Sequence, residues 1–155
     1  MRYELRNKKR GVTEADAWEL LQRGEYGVLS TCGPDGEPYG IPLSYCLLGD
    51  AVYFHCAVTG RKLDNLAVNN HSSFCVVGKT ELLPDKFATC YESVIVSGRV
   101  TEVFDAEKQQ ALEGLVTKYS AKFHAEGLDY IKAAWEETKT YRISIEEISG
   151  KARRH

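Results

Sequence analysis

The apolar positions change period several times along the chain, and each change marks an element. Between Thr13 and Gly24, Ala15, Trp18 and Leu21 recur at helical spacing behind a threonine that can cap the first turn. A short amphipathic helix is expected there, stopped by Gly24. From Tyr26 the pattern alternates, through YGVLSTC, the turn GPDGEP, PYGIPLSYCLL, the turn Gly49-Asp50, and AVYFHC. This predicts three sequential strands in a meander. RKLDNLAVNN returns to helical spacing through Leu63, Leu66 and Ala67, ends at Asn69-Asn70, and gives way to the strand SSFCVVG. A loop containing Pro84 precedes the long strand ESVIVSGRVTEV. Asp105 then reads as the cap of a helix carrying Ala111, Leu112, Leu115 and Val116. Another helix, from about Leu128 to Glu137, holds Tyr130, Ile131, Ala134 and Trp135 before a last strand, TYRISIEEI.

The expected count is about six strands and four helices, with no internal repeat. Strands joined mostly by tight turns form antiparallel sheets, and six of them close most naturally into a barrel. The fold class is therefore α+β, mainly antiparallel β.

Composition narrows the function. A length of 155 residues suits one domain over 1–155, and 43% hydrophobic with 27% charged residues is an ordinary globular profile. The net charge of −2, with basic clusters only at Arg2–Arg10 and Lys151–Arg154, argues against a nucleic-acid partner. No stretch approaches the roughly 20 apolar residues of a membrane span, and MRYELRNKKR has no secretory apolar segment, so a cytoplasmic location is expected. Five cysteines without a C-x-x-C pair read as free thiols, and His55, His71, His124 and His155 are too scattered to suggest a metal site.

The segment Tyr53–Lys62 bears most on chemistry, because a strand runs through a small-residue loop into a helix that opens on two cations, Arg61 and Lys62. Cations in a first turn oppose the helix dipole, whereas an anion there gains from the dipole and from unpaired N–H groups. A bound phosphate makes the arrangement favourable; two side chains pointing into water explain it equally well. In Tyr39–Tyr45 a proline interrupts a good strand. Pro42 marks either an edge protected from aggregation or a place where backbone groups are free for the polar rim of a planar ring, with Ile41 and Leu43 against its apolar part. His55 and Cys56 are adjacent in a strand and point to opposite faces, so they cannot pair as a thiolate–imidazole dyad. His71 reads as a proton donor, a ligand or a capping residue, and Glu92-Ser93 as ligand contacts or a solvated strand start.

The ordered set EYGVLST, Gly-Pro-Asp-Gly, YGIPLSY, VYFHCAVTGRKLDNL, SFCVVG and YESVIVSGRV resembles, over roughly Gly11 to Lys151, the nitroimidazole-resistance (Nim-like) branch of the pyridoxamine-phosphate-oxidase-like flavoproteins. The resemblance implies a split β-barrel, a homodimer, and FMN in two clefts between subunits. It puts the FMN phosphate at Gly60, Arg61 and Lys62, with His55 and Cys56 lining the approach. Ile41, Pro42, Leu43 and Ser44 would lie along the ring, and Tyr91, Glu92 and Ser93 would reach it from the partner. His71 stands where some members keep a functional histidine. SSFCVVG in place of a tryptophan-containing strand, and the short tail GKARRH, point away from pyridoxamine oxidation. The implied activity is FMN-dependent transfer of electrons from a reduced nicotinamide to a small acceptor such as a nitroaromatic; without G-x-G-x-x-G, the nicotinamide would bind only transiently. The alternative is a barrel holding haem or another flavin without turnover, His71, His124 or His155 serving as the axial ligand.

Overall fold

The computed structural model describes residues 3–155; Arg2, the first cation of the N-terminal basic cluster, lies outside them. Helix α1 (Glu14–Arg23) starts as its sequence requires, the Thr13 hydroxyl accepting the Asp16 N–H at 3.1 Å. Its buried face is Ala17, Leu20 and Leu21, while Ala15 is exposed.

Eight strands follow: β1 (Gly27–Cys32), β2 (Pro38–Leu43), β3 (Cys46–Leu48), β4 (Ala51–Cys56), β5 (His71–Val77), β6 (Glu81–Leu83), β7 (Ala88–Val103) and β8 (Lys139–Arg153). All pairings are antiparallel, in the order β2-β1-β5-β7-β8-β4-β3, with β6 pairing only β7. The expected six strands become eight because the chain breaks at Ser44-Tyr45 and because a short β6 precedes a turn at Pro84.

That break also corrects the meander. β2 pairs with β1, but β3 and β4 join the opposite edge through β8. Tyr45 decides this: its side chain is fully buried, its hydroxyl donates to the Leu21 carbonyl at 2.6 Å, and its N–H donates to the Tyr119 hydroxyl at 3.0 Å. A strand continuing straight through Tyr45 would forfeit all three. Two linking residues thus carry the chain from one edge to the other, and the sheet closes covalently without a ladder between β2 and β3. This is a split barrel.

Alternation separates inside from outside. Leu29, Val52, Phe54, Phe74, Val76, Val94, Val96, Val100 and Ile143 face inward and form the main core. Outside, Tyr53 and Val103 pack against α3 (Asp105–Tyr119) and α4 (His124–Ala133) in a second core with Ala111, Leu112, Leu115 and Ile131. Asp105 is the first helical residue, at φ 52°, so it does not serve as the cap; α4 begins at His124, ahead of its expected start, and leaves Tyr130 exposed. Helix α2 (Arg61–Val68) lies against β1, held by a buried bond from the Asn65 amide to the Thr31 hydroxyl at 3.0 Å. All five cysteines are free thiols, and among the described residues no helix is long and apolar enough to cross a membrane.

Candidate functional site

The sharpest site is the junction of β4, the loop 57–60 and α2. Gly60 holds φ 153°, a conformation that favours glycine, and an added Cβ there would meet open space. Its carbonyl accepts the Leu63 and Asp64 N–H groups, each at 3.1 Å, and no side chain caps the helix. The Arg61 and Lys62 amides therefore keep no protein acceptor among the described residues. Two open N–H groups at a positive helix end form an anion cradle.

The two cations are not equivalent. Arg61 stacks 4.4 Å over the Tyr39 ring and lies 3.3 Å from the Glu37 carboxylate, so its charge is partly used. Lys62 has no ion pair among the described residues. Its charge acts on its neighbours. Partial burial, and then Lys62, hold His55 below the ordinary imidazole value of 6.5, so His55 is neutral at pH 7. Cys56 points into the barrel, and burial raises its thiol above the usual range despite opposing lysines. His55, facing outward beside the cradle, is the more accessible of the two.

β2 is an edge strand, with Pro42 opposite Val28. Ile41 and Leu43 turn inward against the core, leaving Gly40 and Pro42 on the outer surface. Any ring laid on this edge meets backbone, Gly40 and Pro42 first. Ser44 sits in the link to β3. His71 opens β5 at the same end of the barrel as α2; its N–H donates to the Asn69 side chain at 3.0 Å and its Nε2 lies 3.6 Å from Glu146.

Tyr91, Glu92 and Ser93 lie at the far end of β7 from the α2 junction, so one chain does not bring them together with Lys62. Glu92 is held by Arg23 through two bonds of 2.9 and 2.8 Å and accepts the Lys79 N–H at 3.1 Å. The Arg23 bond, chiefly, draws its carboxyl below the usual value. Pattern reading missed three residues, Glu102, Lys139 and Tyr141, on the inward face at the α2 end. The signal was available: Glu102 continues the even-numbered series Val94, Val96, Val100 that faces the core.

The model of the family described as pyridoxamine 5'-phosphate oxidase matches residues 13–152. The chain belongs to the pyridoxamine 5'-phosphate oxidase family. Among curated proteins, none matches the sequence. Solved structures of the same fold include a protein from Bacteroides thetaiotaomicron provisionally assigned as a 5-nitroimidazole antibiotic resistance protein, 19% identical, with a TM-score of 0.76 over 91% of this chain and 85% of that one. A conserved hypothetical protein from Mycobacterium tuberculosis gives 16% identity and a TM-score of 0.81 over 96% and 90%. An FAD- and haem-binding protein from Mycobacterium smegmatis gives 17% and 0.78 over 96% and 75%. At these identities the likeness establishes the oxidase-family fold.

Proposed function

We propose that this member of the pyridoxamine 5'-phosphate oxidase family binds FMN between two copies of the chain and acts as a Nim-like oxidoreductase. The carrying observation is the start of α2, with two open amides, an uncapped glycine and an unpaired Lys62. The residues present fit the phosphate end of the cofactor. Gly60, Arg61 and Lys62 hold the anion, Arg61 exchanging its long contact with Glu37 for it, and neutral His55 stands beside them without adding charge. The β2 edge from Ile41 to Ser44 presents backbone groups to the ring. FMN, when bound, supplies hydride acceptance and onward electron transfer; the protein supplies position, exclusion of water and polarity.

In this reading a second copy completes the site: Tyr91, Glu92 and Ser93, which lie away from the Lys62 end of their own chain, reach the ring from the partner subunit. The outer face of β1, β5 and β7 suits that contact. Val28, Cys75 and Ile95 lie in one row beside Pro42, and Ser30, Ser73 and Ser97 in the next beside Gly40; Val28 is 37% and Ile95 47% exposed. Such small and apolar side chains pack flat against a like surface.

The fit of the helix start to a phosphate supports the flavin, whereas haem would in addition need an axial side chain. The reading supports electron transfer from NADH or NADPH to a nitroaromatic acceptor. The test is the visible spectrum and ligand mass of the purified protein, then NADPH or NADH with a nitroimidazole. Two broad flavin bands, bleaching by the nicotinamide and an amine product are expected. A Soret band instead, or no bleaching and no amine, overturns the reductase reading.

A further inference from the structure

The barrel mouth beneath α2 contains a second concavity, of about 450 Å³, that the flavin reading leaves unused. Its walls include Leu63 and Leu66 of α2 and Val100, Glu102, Lys139 and Tyr141 of β7 and β8. Glu102 and Tyr141 are direct partners in the β7–β8 ladder, and Lys139 shares their inward face two residues before Tyr141. Two charges have therefore replaced apolar side chains at the end of a core-facing series.

Charge placed on a core-facing row is costly unless it is matched. The match within the protein is poor. Glu102 and Lys139 approach only to 3.8 Å, too long for a direct hydrogen bond. Tyr141 is 8% exposed and stacked on Phe54, its ring 5.6 Å away, yet its hydroxyl has no hydrogen-bond partner among the described residues. Burial, followed by the nearby Glu102 and Cys56, pushes the phenol up to about 12, so it stays neutral. A polar atom without a protein partner, at the tip of a mostly buried side chain that opens on a cavity, is one a ligand can satisfy.

The balance of charge gives the ligand its sign. Asp64 also borders the cavity, and an adjoining space of about 270 Å³ adds Asp105 and Glu136 beside Phe104 and Trp135. Lys108 there is already committed, its ammonium donating to the Trp135 and Thr138 carbonyls at 2.9 and 2.7 Å. Acid groups exceed free ammonium groups around the mouth, and the walls between them are aliphatic and aromatic.

We propose that this mouth binds a small organic cation, its ammonium between the Glu102 carboxylate and the Tyr141 hydroxyl oxygen and its apolar body on Leu63, Leu66 and Val100. Lys139, half-exposed, swings outward when the cation enters. The site adjoins the anion cradle, sharing the loop residues Val58 and Thr59, but uses different polar groups, and it stands whether or not the protein carries flavin.

Titration of the full chain, with and without FMN, by 2-phenylethylamine and by the matched acid 3-phenylpropionate tests this by amide NMR shifts. The amine should give saturable shifts at Leu66, Glu102, Lys139 and Tyr141 with a Kd on the order of 1 mM, and the acid should not. Glu102→Gln should weaken the amine about tenfold, and Tyr141→Phe, which keeps the stacked ring, about threefold. FMN affinity should not change in either variant. Equal binding of acid and amine, absence of shifts up to on the order of 10 mM amine, or a Tyr141→Phe chain that binds as the parent does would each overturn the proposal. Should Glu102→Gln not fold, the Tyr141→Phe chain and the amine–acid comparison decide it.

Discussion

The two ends of this barrel are built from one set of strands and serve opposite ends. At the end near α1 packing is dense and the tyrosine hydroxyls are matched, the Lys118 ammonium alone resting on a ring without a hydrogen-bond partner among the described residues. Phe74 fills the space above Gly27, where a Cβ would lie inside the ring, and meets Tyr45 edge-on at 5.0 Å. Tyr45 donates to Leu21, Tyr119 accepts from Tyr45 and donates to Glu25, and the Lys118 ammonium rests 3.6 Å over the Tyr45 ring. At the α2 end the same inward rows finish in Glu102, Lys139 and Tyr141, and the helix covering them opens on unpaired amides and an unpaired lysine. Dense packing around the Tyr45–Phe74 pair makes one end a closure, while open amides and charged side chains at a cavity make the other a place for ligands. Stability and binding should therefore separate along the barrel axis.

The largest effect expected at the closed end is from Phe74→Ala, which should cost about 3–5 kcal/mol by urea unfolding while flavin affinity per folded molecule is kept. A parallel loss of affinity would mean that the two ends are coupled. At the open end, Lys62→Ala should reverse the pattern, weakening FMN by about 1.5–3 kcal/mol in a fluorescence titration with little change in the unfolding midpoint. Unaltered affinity would make Lys62 a solvated charge. Tyr45→Phe should destabilise by about 1–2 kcal/mol, because the Leu21 carbonyl is left buried without its donor.

The smallest effect is pH-dependent. Glu92 is drawn below its ordinary value of 4.5 by Arg23, so the folded state holds this proton more weakly than the unfolded one. Its contribution is complete above 4.5 and is lost as pH falls through the lower folded value. Half-open geometry limits it to about 1 kcal/mol or less. Glu92→Gln should flatten the acid limb of stability below that pH and leave neutral-pH stability lower by the same amount. An unchanged acid limb would show that the Arg23 contact is not kept in solution.

Local features were legible wherever neighbours in sequence are neighbours in space. The Thr13 cap, the helix at Leu63–Leu66, the β1–β2 hairpin and the edge role of Pro42 all follow from side-chain spacing, turn chemistry or a missing N–H. The position of α2's start after a small-residue loop was legible for the same reason. Asp105 was misjudged because its positive φ depends on the chain leaving β7, not on its side chain.

What the sequence determined by itself was the main helices and six of the strand segments, their antiparallel class and the cations at Arg61 and Lys62, since these rest on periods and turns spanning only a few residues. Tertiary structure alone decided that β2 and β3 lie on opposite edges, that Glu37 and Tyr39 engage Arg61 and leave Lys62 free, and that Glu102 stands beside Tyr141 at the barrel mouth. Each of these joins residues distant in the chain, and such contacts are selected by burial of Tyr45 and closure of the sheet, which no local pattern encodes.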